Sequence, residues 1–230
     1  MYIKPKQLWW LPSLFLVLFA LGTLLGELHN RLDIKEAHVI STTQREEADR
    51  AIVASLLDQA TKDTERPFSV FVKDYVLSGK YKGENFQLAG DIAGHRFELQ
   101  KADEQVNVAI DGELQDHMGL PYSLYTPHQH AAILKSKLER VAPLPVADGS
   151  GQGWQGYRLN VPPNEITDLL SMWLGPSFPI QDMTPRLANQ IAVEYQLWYD
   201  GPTRVLRQLE VYLQMQTAAG LKQDQLRFRL

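Results

Sequence analysis

The chain has 230 residues, 44% of them hydrophobic and 22% charged, with a formal net charge of −4. That composition is globular, so general disorder is excluded, and no basic field is available to hold a nucleic acid. The absence of cysteine excludes a disulfide framework, a thiolate metal site, a cysteine nucleophile and a lipidated N-terminal cysteine together.

Residues 1–7 read as a short cytoplasmic N-terminus carrying Lys4 and Lys6. Residues 8–26, LWWLPSLFLVLFALGTLLG, form the longest uncharged run. At 1.5 Å per residue such a helix reaches about 28 Å, close to the ~30 Å hydrocarbon layer. Glu27, His29, Arg31 and Asp33 follow it in mixed charge, so the positive-inside bias exports the C-terminal side. Trp9 and Trp10 fall where an aromatic belt would anchor the inner interface, and Pro12 lies in the first turns, where a missing N–H costs least. A cleaved signal peptide is the alternative, with Ala20-Leu21-Gly22 as a small-residue site. Either reading places the remainder outside the cytoplasm, and the expected location is the cell membrane, single-pass.

Residues 27–66 read as a linker containing an amphipathic helix, Thr42 to Lys62, with Ala48, Ile52, Leu56 and Ala60 at helical spacing and Thr43 with Glu46 as a capping box. From Pro67 the hydrophobic period changes to two. Phe68 to Leu77 predicts a strand broken by Gly79. Phe86, Leu88, Gly90 and Ile92 predict a second, Phe97 and Leu99 a third, and Val106, Val108 and Ile110 a fourth, joined by turns at Gly94 and at Asp103-Glu104. Thr126-Pro127 then opens a helix with Ala131, Leu134, Leu138 and Val141 on one stripe. Residues 142–153 read as a loop and Trp154 to Val161 as a strand. A second short helix begins near Pro163, with Ile166, Leu169, Leu170 and Trp173 at i, i+3, i+4 and i+7, and Gly175-Pro176 ends it. Three long strands close the chain around Val193–Tyr199, Leu209–Met215 and Leu226–Leu230, separated by turns at Asp200–Thr203 and Ala219-Gly220.

Seven to nine antiparallel strands with one apolar face need that face covered, and neither short helix is stable alone in water. The fold class expected for residues 67–230 is therefore α+β: a curved antiparallel sheet covered on its apolar face by helices and preceded by the N-terminal transmembrane helix. The space between sheet and helices either fills with side chains or leaves an apolar hollow, and sequence does not separate the two.

The meander FQLAGDIAGHRFELQKADEQVNVAIDGE, the helix-bearing insertion and the late VEYQLWYDGPTRVLRQLEVYL, in that order, resemble the LolA-like superfamily of bacterial envelope proteins. Members include lipoprotein carriers, lipid-binding lipoproteins and envelope-stress sensors. The resemblance covers roughly Pro67 to Leu230. It implies a half-barrel whose concave apolar face, under helices, holds acyl chains or docks a protein. This chain departs from the lipoprotein members in having an apolar anchor instead of a lipidated cysteine, and a tethered carrier does not shuttle across an envelope.

Weighed residue by residue, catalytic signals are weak. Gly151-x-Gly153-x-x-Gly156 matches a dinucleotide fingerprint in letters, but a loop precedes it and a strand follows, where the mechanism needs strand, turn and helix. His128 and His130, two apart at a helix start, diverge by about 200° and share a metal only if the turn is non-helical; nothing places Asp116 and His117 beside them. No G-x-S-x-G elbow occurs. Asp103-Glu104 and Glu46-Glu47 read as a turn and a wet helix face. Lys135, Lys137 and Arg140 make a basic edge that is either solvated or faces lipid headgroups. Trp173 is either core or cavity wall, and Trp198 points away from Tyr195 and Leu197, toward a helix or a partner.

The leading expectation is a membrane-anchored, non-catalytic extracytoplasmic binding protein without cofactor or metal. A lipid or acyl ligand would lie against Phe97, Leu99, Val108, Leu134, Leu138, Leu169, Trp173, Leu197 and Val211. A C16 chain buried there would gain about 12 kcal/mol gross at ~0.8 kcal/mol per CH₂. The rival is a protein-interaction module of the envelope with a filled core, partnered by another envelope protein; an enzyme ranks third.

Overall fold

A helix that must seal a sheet shows it by its buried stripe, and α1 (Thr42–Ala60) buries Val53, Leu56, Leu57 and Ala60, spaced i, i+3, i+4 and i+7. These coordinates come from a computed structural model that describes residues 42–103, 105–115, 125–145, 153–166, 170, 189–217 and 220–230. The chain divides into two compact units, Met1–Arg45 and Glu46–Leu230, and the second carries the sheet. The expected N-terminus and anchor, residues 1–26, lie outside the described residues; among the described residues no helix is long and apolar enough to cross a membrane.

The helix forms where its pattern predicts, but its buried face is rotated. Ala48 is exposed and Ile52 half-buried, while Val53 and Leu57 take the inward positions. Two branched side chains bury more apolar area than an alanine and an isoleucine, so they set the rotation. Thr43 already lies within the helix, so it is not the N-cap.

Among the described residues, eleven strands, numbered in chain order with the ranges given below, make one open antiparallel sheet in the order β6-β5-β4-β3-β2-β1-β11-β10-β9-β8-β7. The N-terminal half is a meander: β1 (Arg66–Val72), β2 (Tyr75–Lys82), β3 (Asn85–Ile92), β4 (His95–Ala102), β5 (Gln105–Ile110) and β6 (Glu113–Leu114). Val72 pairs with Tyr75, Lys82 with Asn85, Ile92 with His95, Ala102 with Gln105 and Ile110 with Glu113, so each turn holds two residues. Positive φ at Lys73, Gly83, Ala93, Gly94, Asp103, Asp111 and Gly112 is what two-residue hairpin loops demand.

The single strand expected over Phe68–Leu77 is two strands, because the chain reverses at Lys73-Asp74 rather than at Gly79. Gly79 sits inside β2, where a Cβ would lie 1.8 Å from the Gln87 carbonyl oxygen on β3. Its lack of a side chain permits close backbone approach and does not break the strand.

The C-terminal half contains β7 (Val141–Leu144), β8 (Trp154–Val161), β9 (Ile191–Asp200), β10 (Val205–Thr217) and β11 (Gly220–Arg229). The last strand inserts between β1 and β10 and joins the halves. Along β9, Ile191, Val193, Tyr195, Leu197 and Tyr199 are buried and the residues between them are less so. Opposite them on β10 stand Met215, Leu213, Val211, Leu209 and Leu206, giving continuous apolar rows.

Helix α2 (Pro127–Lys135) starts with Thr126 as N-cap in a capping box with Gln129. Thr126 Oγ1 also donates to the Gly83 carbonyl at 2.7 Å, fixing the helix start to the β2–β3 turn. The predicted stripe to Val141 is cut short: α2 stops at Lys135, a 3₁₀ turn covers Leu138–Arg140, and Val141 begins β7. A second 3₁₀ turn, Pro163–Glu165, leads to Ile166. Ile166 and Leu170 are buried, whereas Leu169 and Trp173 lie outside the described residues.

Candidate functional site

The inner face is built from alternating strand residues under α1 and α2. Leu134, Leu197 and Val211 are 0% exposed, Leu99 and Val108 are buried, and Phe97 and Leu138 are half-buried against the same core. Residue pairing aligns Phe97 with Ile110, Leu99 with Val108 and Val211 with Tyr195. Leu134, Leu197 and Val211 thus join the central core, and Phe97, Leu99 and Val108 stand on β4 and β5, toward one sheet edge.

The centre of that core holds a histidine. His130, on α2, is fully buried; its Nδ1 lies 3.1 Å from the Tyr195 hydroxyl on β9, and its ring meets Tyr125, Tyr195 and Phe228 at centroid distances of 5.8, 5.7 and 5.1 Å. Burial in this apolar cage pushes its pKa down to about 3 and pushes the Tyr195 phenol up, so both are neutral at ordinary pH. His128 and His130 both lie within α2, two residues apart, where side chains diverge, and among the described residues no group of three His, Cys, Asp or Glu side chains is placed to hold a metal.

Polar ties lock α1 to the sheet. Tyr157 on β8 donates to Asp49 at 2.9 Å, and burial followed by that carboxylate pushes the phenol pKa up. Gln59 accepts from the Leu206 amide and donates to the Arg204 carbonyl at 3.1 and 2.8 Å. Tyr81 reaches the Ala60 carbonyl at 3.4 Å.

The basic edge, read as either solvated or facing lipid headgroups, carries ion pairs of its own. Lys135 contacts Asp58 at 2.7 Å, and Lys137 and Arg140 both grip Glu165. Hydrogen bonds from Arg140 and then Lys137 hold the Glu165 carboxyl below the usual range. Of the glycine fingerprint, Gly151 lies outside the described residues. Gly156 lies in β8, where a Cβ would come within 2.7 Å of the Trp198 ring. Trp198 therefore covers a glycine of the neighbouring strand on the outer face and is half-buried.

That outer face carries a site the sequence reading passed over. Phe71 on β1 pairs with Arg227 on β11, which pairs with Glu210 on β10, which pairs with Gln196 on β9. The Arg227 guanidinium lies 4.6 Å over the Phe71 ring. Glu210, although buried, accepts from Tyr212 at 2.6 Å and from Gln208 at 2.7 Å, and Gln225 donates to Tyr212 at 3.0 Å. Burial, then the bond to Glu210, pushes the Tyr212 phenol up. Beside this network lies a groove of about 330 Å³ whose border includes Phe71, Lys73, Tyr212, Gln214, Asp224 and Arg227. The signal for it was present in the glutamines at alternate positions of the last two strands, which are costly choices for a merely solvated face only when they interlock.

No protein-family model matches this chain, and no curated protein matches it significantly.

Proposed function

We propose that this chain is a membrane-tethered, extracytoplasmic, non-catalytic interaction module of the cell envelope, built as a LolA-like half-barrel whose inner face is filled by its own side chains. The observation that carries the choice between filled and hollow is the zero exposure of Leu134, Leu197, Val211, His130, Tyr195 and Phe228. A side chain bordering a void large enough for water would retain accessible surface. The open antiparallel sheet with both helices on its apolar face supports the LolA-like reading, and the apolar run 8–26 flanked by Lys4 and Lys6 supports the tether.

With the interior occupied, binding falls to the outer face and the sheet edges. In-cell cross-linking of the full chain, followed by isolation and lipid analysis of the same species, tests this. Discrete heavier protein adducts without a stoichiometric lipid are expected. A monomer carrying one lipid per chain would overturn the reading and restore the acyl-ligand alternative.

A further inference from the structure

Strand β11 pairs with β10 from Gly220 to Arg229, but β1 lies beside it only from Leu226 to Arg229. Beyond Val72 the chain turns through Lys73, at a φ of 53°, into β2. The groove of about 330 Å³ lies where β1 stops short. That volume is at the small end of the ~300–1,000 Å³ typical of ligand pockets, enough for one or two sugar rings. Tyr212 faces Gln225 and Gln214 faces Gln223 in register across β10 and β11, so four polar lining residues stand in two rows on one face.

The two rows differ in what they have left to offer. Tyr212 donates to Glu210 at 2.6 Å and accepts from Gln225 at 3.0 Å, so its direction is set before any ligand arrives. The carboxamides of Gln214 and Gln223 make no hydrogen bond among the described residues, and a carboxamide both donates and accepts in one plane. Charge in the lining is of both signs, Lys73 and Arg227 against Asp224. Asp224 Oδ1 accepts from the Gln225 backbone amide at 2.9 Å, so recognition here runs through side chains. An anion would meet Asp224 and a cation would meet Lys73 and Arg227, whereas a neutral ligand bearing several hydroxyls finds a complement for each. Phe71 and Leu213 add apolar surface of the kind that the C–H side of a pyranose ring needs.

We propose that this groove binds an uncharged saccharide, whose hydroxyls bridge the Gln214 and Gln223 carboxamides and the side-chain carbonyl of Gln225. The site goes beyond the interaction-module reading and does not depend on it. Binding is weak, with a Kd on the order of ~1–10 mM per sugar unit, because each hydroxyl exchanges one water for one protein partner. A free sugar and the units of a glycan chain share this chemistry, and ligand length separates the two sources.

The test is ¹H–¹⁵N NMR of the full chain in phosphocholine-detergent micelles, which carry no sugar headgroup, with the glutamine side-chain amides observed. The probes are methyl β-glucoside, glucosamine and glucuronate, which differ in charge, and cellotetraose, which differs in length. Methyl β-glucoside should shift the Gln214 and Gln223 amide signals saturably and bind at least about fivefold more tightly than either charged sugar. Cellotetraose binding as well or better supports the site as one for a glycan chain; its exclusion supports the site as one for a free sugar. Gln214→Leu and Gln223→Leu, both at exposed strand positions, should each weaken methyl β-glucoside binding by about fivefold or more. Gln87→Leu, at an exposed position of β3 outside the groove, should leave it unchanged. No saturable shift at about 100 mM methyl β-glucoside, or tighter binding of a charged sugar, would overturn the site on the parent chain alone. Indifference to both groove variants, each checked for folding by circular dichroism, would overturn it as well. Protein adducts in cells bear only on the module reading, so the two fail separately.

Discussion

His130 Nδ1 and the Tyr195 hydroxyl meet at 3.1 Å across the interface between α2 and the centre of β9, with both residues fully buried. A short helix is thereby held to a central strand by one polar contact inside an apolar cage, and the imidazole Nε2 has no hydrogen-bond partner among the described residues. The pair specifies where α2 sits, since any other placement would bury two polar groups unpaired.

That histidine makes the fold sensitive to acid. Its pKa falls from 6.5 in the unfolded chain to about 3 in the folded one. Between those values the unfolded state binds the extra proton. The contribution is intact above the unfolded pKa and declines as pH drops through the window, by up to ~1.4 kcal/mol per pH unit. Urea unfolding followed from neutral to acidic pH should show this slope, and His130→Phe should flatten it relative to the parent chain.

Truncating the core should leave a hole and nothing else. Leu197→Ala removes a fully buried side chain and should cost about 2–5 kcal/mol in urea unfolding. Because the space vacated is apolar, benzene should raise the variant's midpoint while leaving the parent chain unchanged.

Backbone contact between β2 and β3 should forbid any side chain at Gly79. The added methyl would collide with the Gln87 carbonyl, a group held in the ladder that cannot swing aside. Gly79→Ala should therefore destabilise by about 3 kcal/mol or more by denaturant unfolding. A site where glycine merely supplied flexibility would instead gain stability from alanine.

The N-cap of α2 has two jobs, capping the helix and holding the Gly83 carbonyl. Thr126→Ala should lose about 1–2 kcal/mol, and Thr126→Ser, which keeps the oxygen, should lose less than about 0.5 kcal/mol by the same measurement.

Strands were legible wherever alternation was long, as from Ile191 to Asp200, because one-sided burial writes itself into every second residue. The hairpin at Lys73-Asp74 was not, since its residues lack the glycine or asparagine that usually marks positive φ, while Gly79 gave a false signal of a break. Val141 continues the α2 stripe at helical spacing yet lies in β7, paired with Leu159 of β8; spacing alone does not report where a helix stops. Leu134, Leu197 and Val211 are buried, but whether an apolar lining encloses space depends on three-dimensional fit, which spacing does not encode. His130 is polar, and the sequence reads such a residue at a helix start as a metal ligand or a solvated side chain rather than as a buried one. The outer groove depends on β11 outrunning β1, a register property that no single segment encodes.

The most direct test of the proposal that the interior is filled uses methyl-labelled full chain in micelles titrated with a spin-labelled stearate. The account predicts that the methyl resonances of Leu134, Leu197 and Val211 keep their intensity throughout. Selective, saturable broadening of those three would place an acyl chain beneath the helices and contradict it.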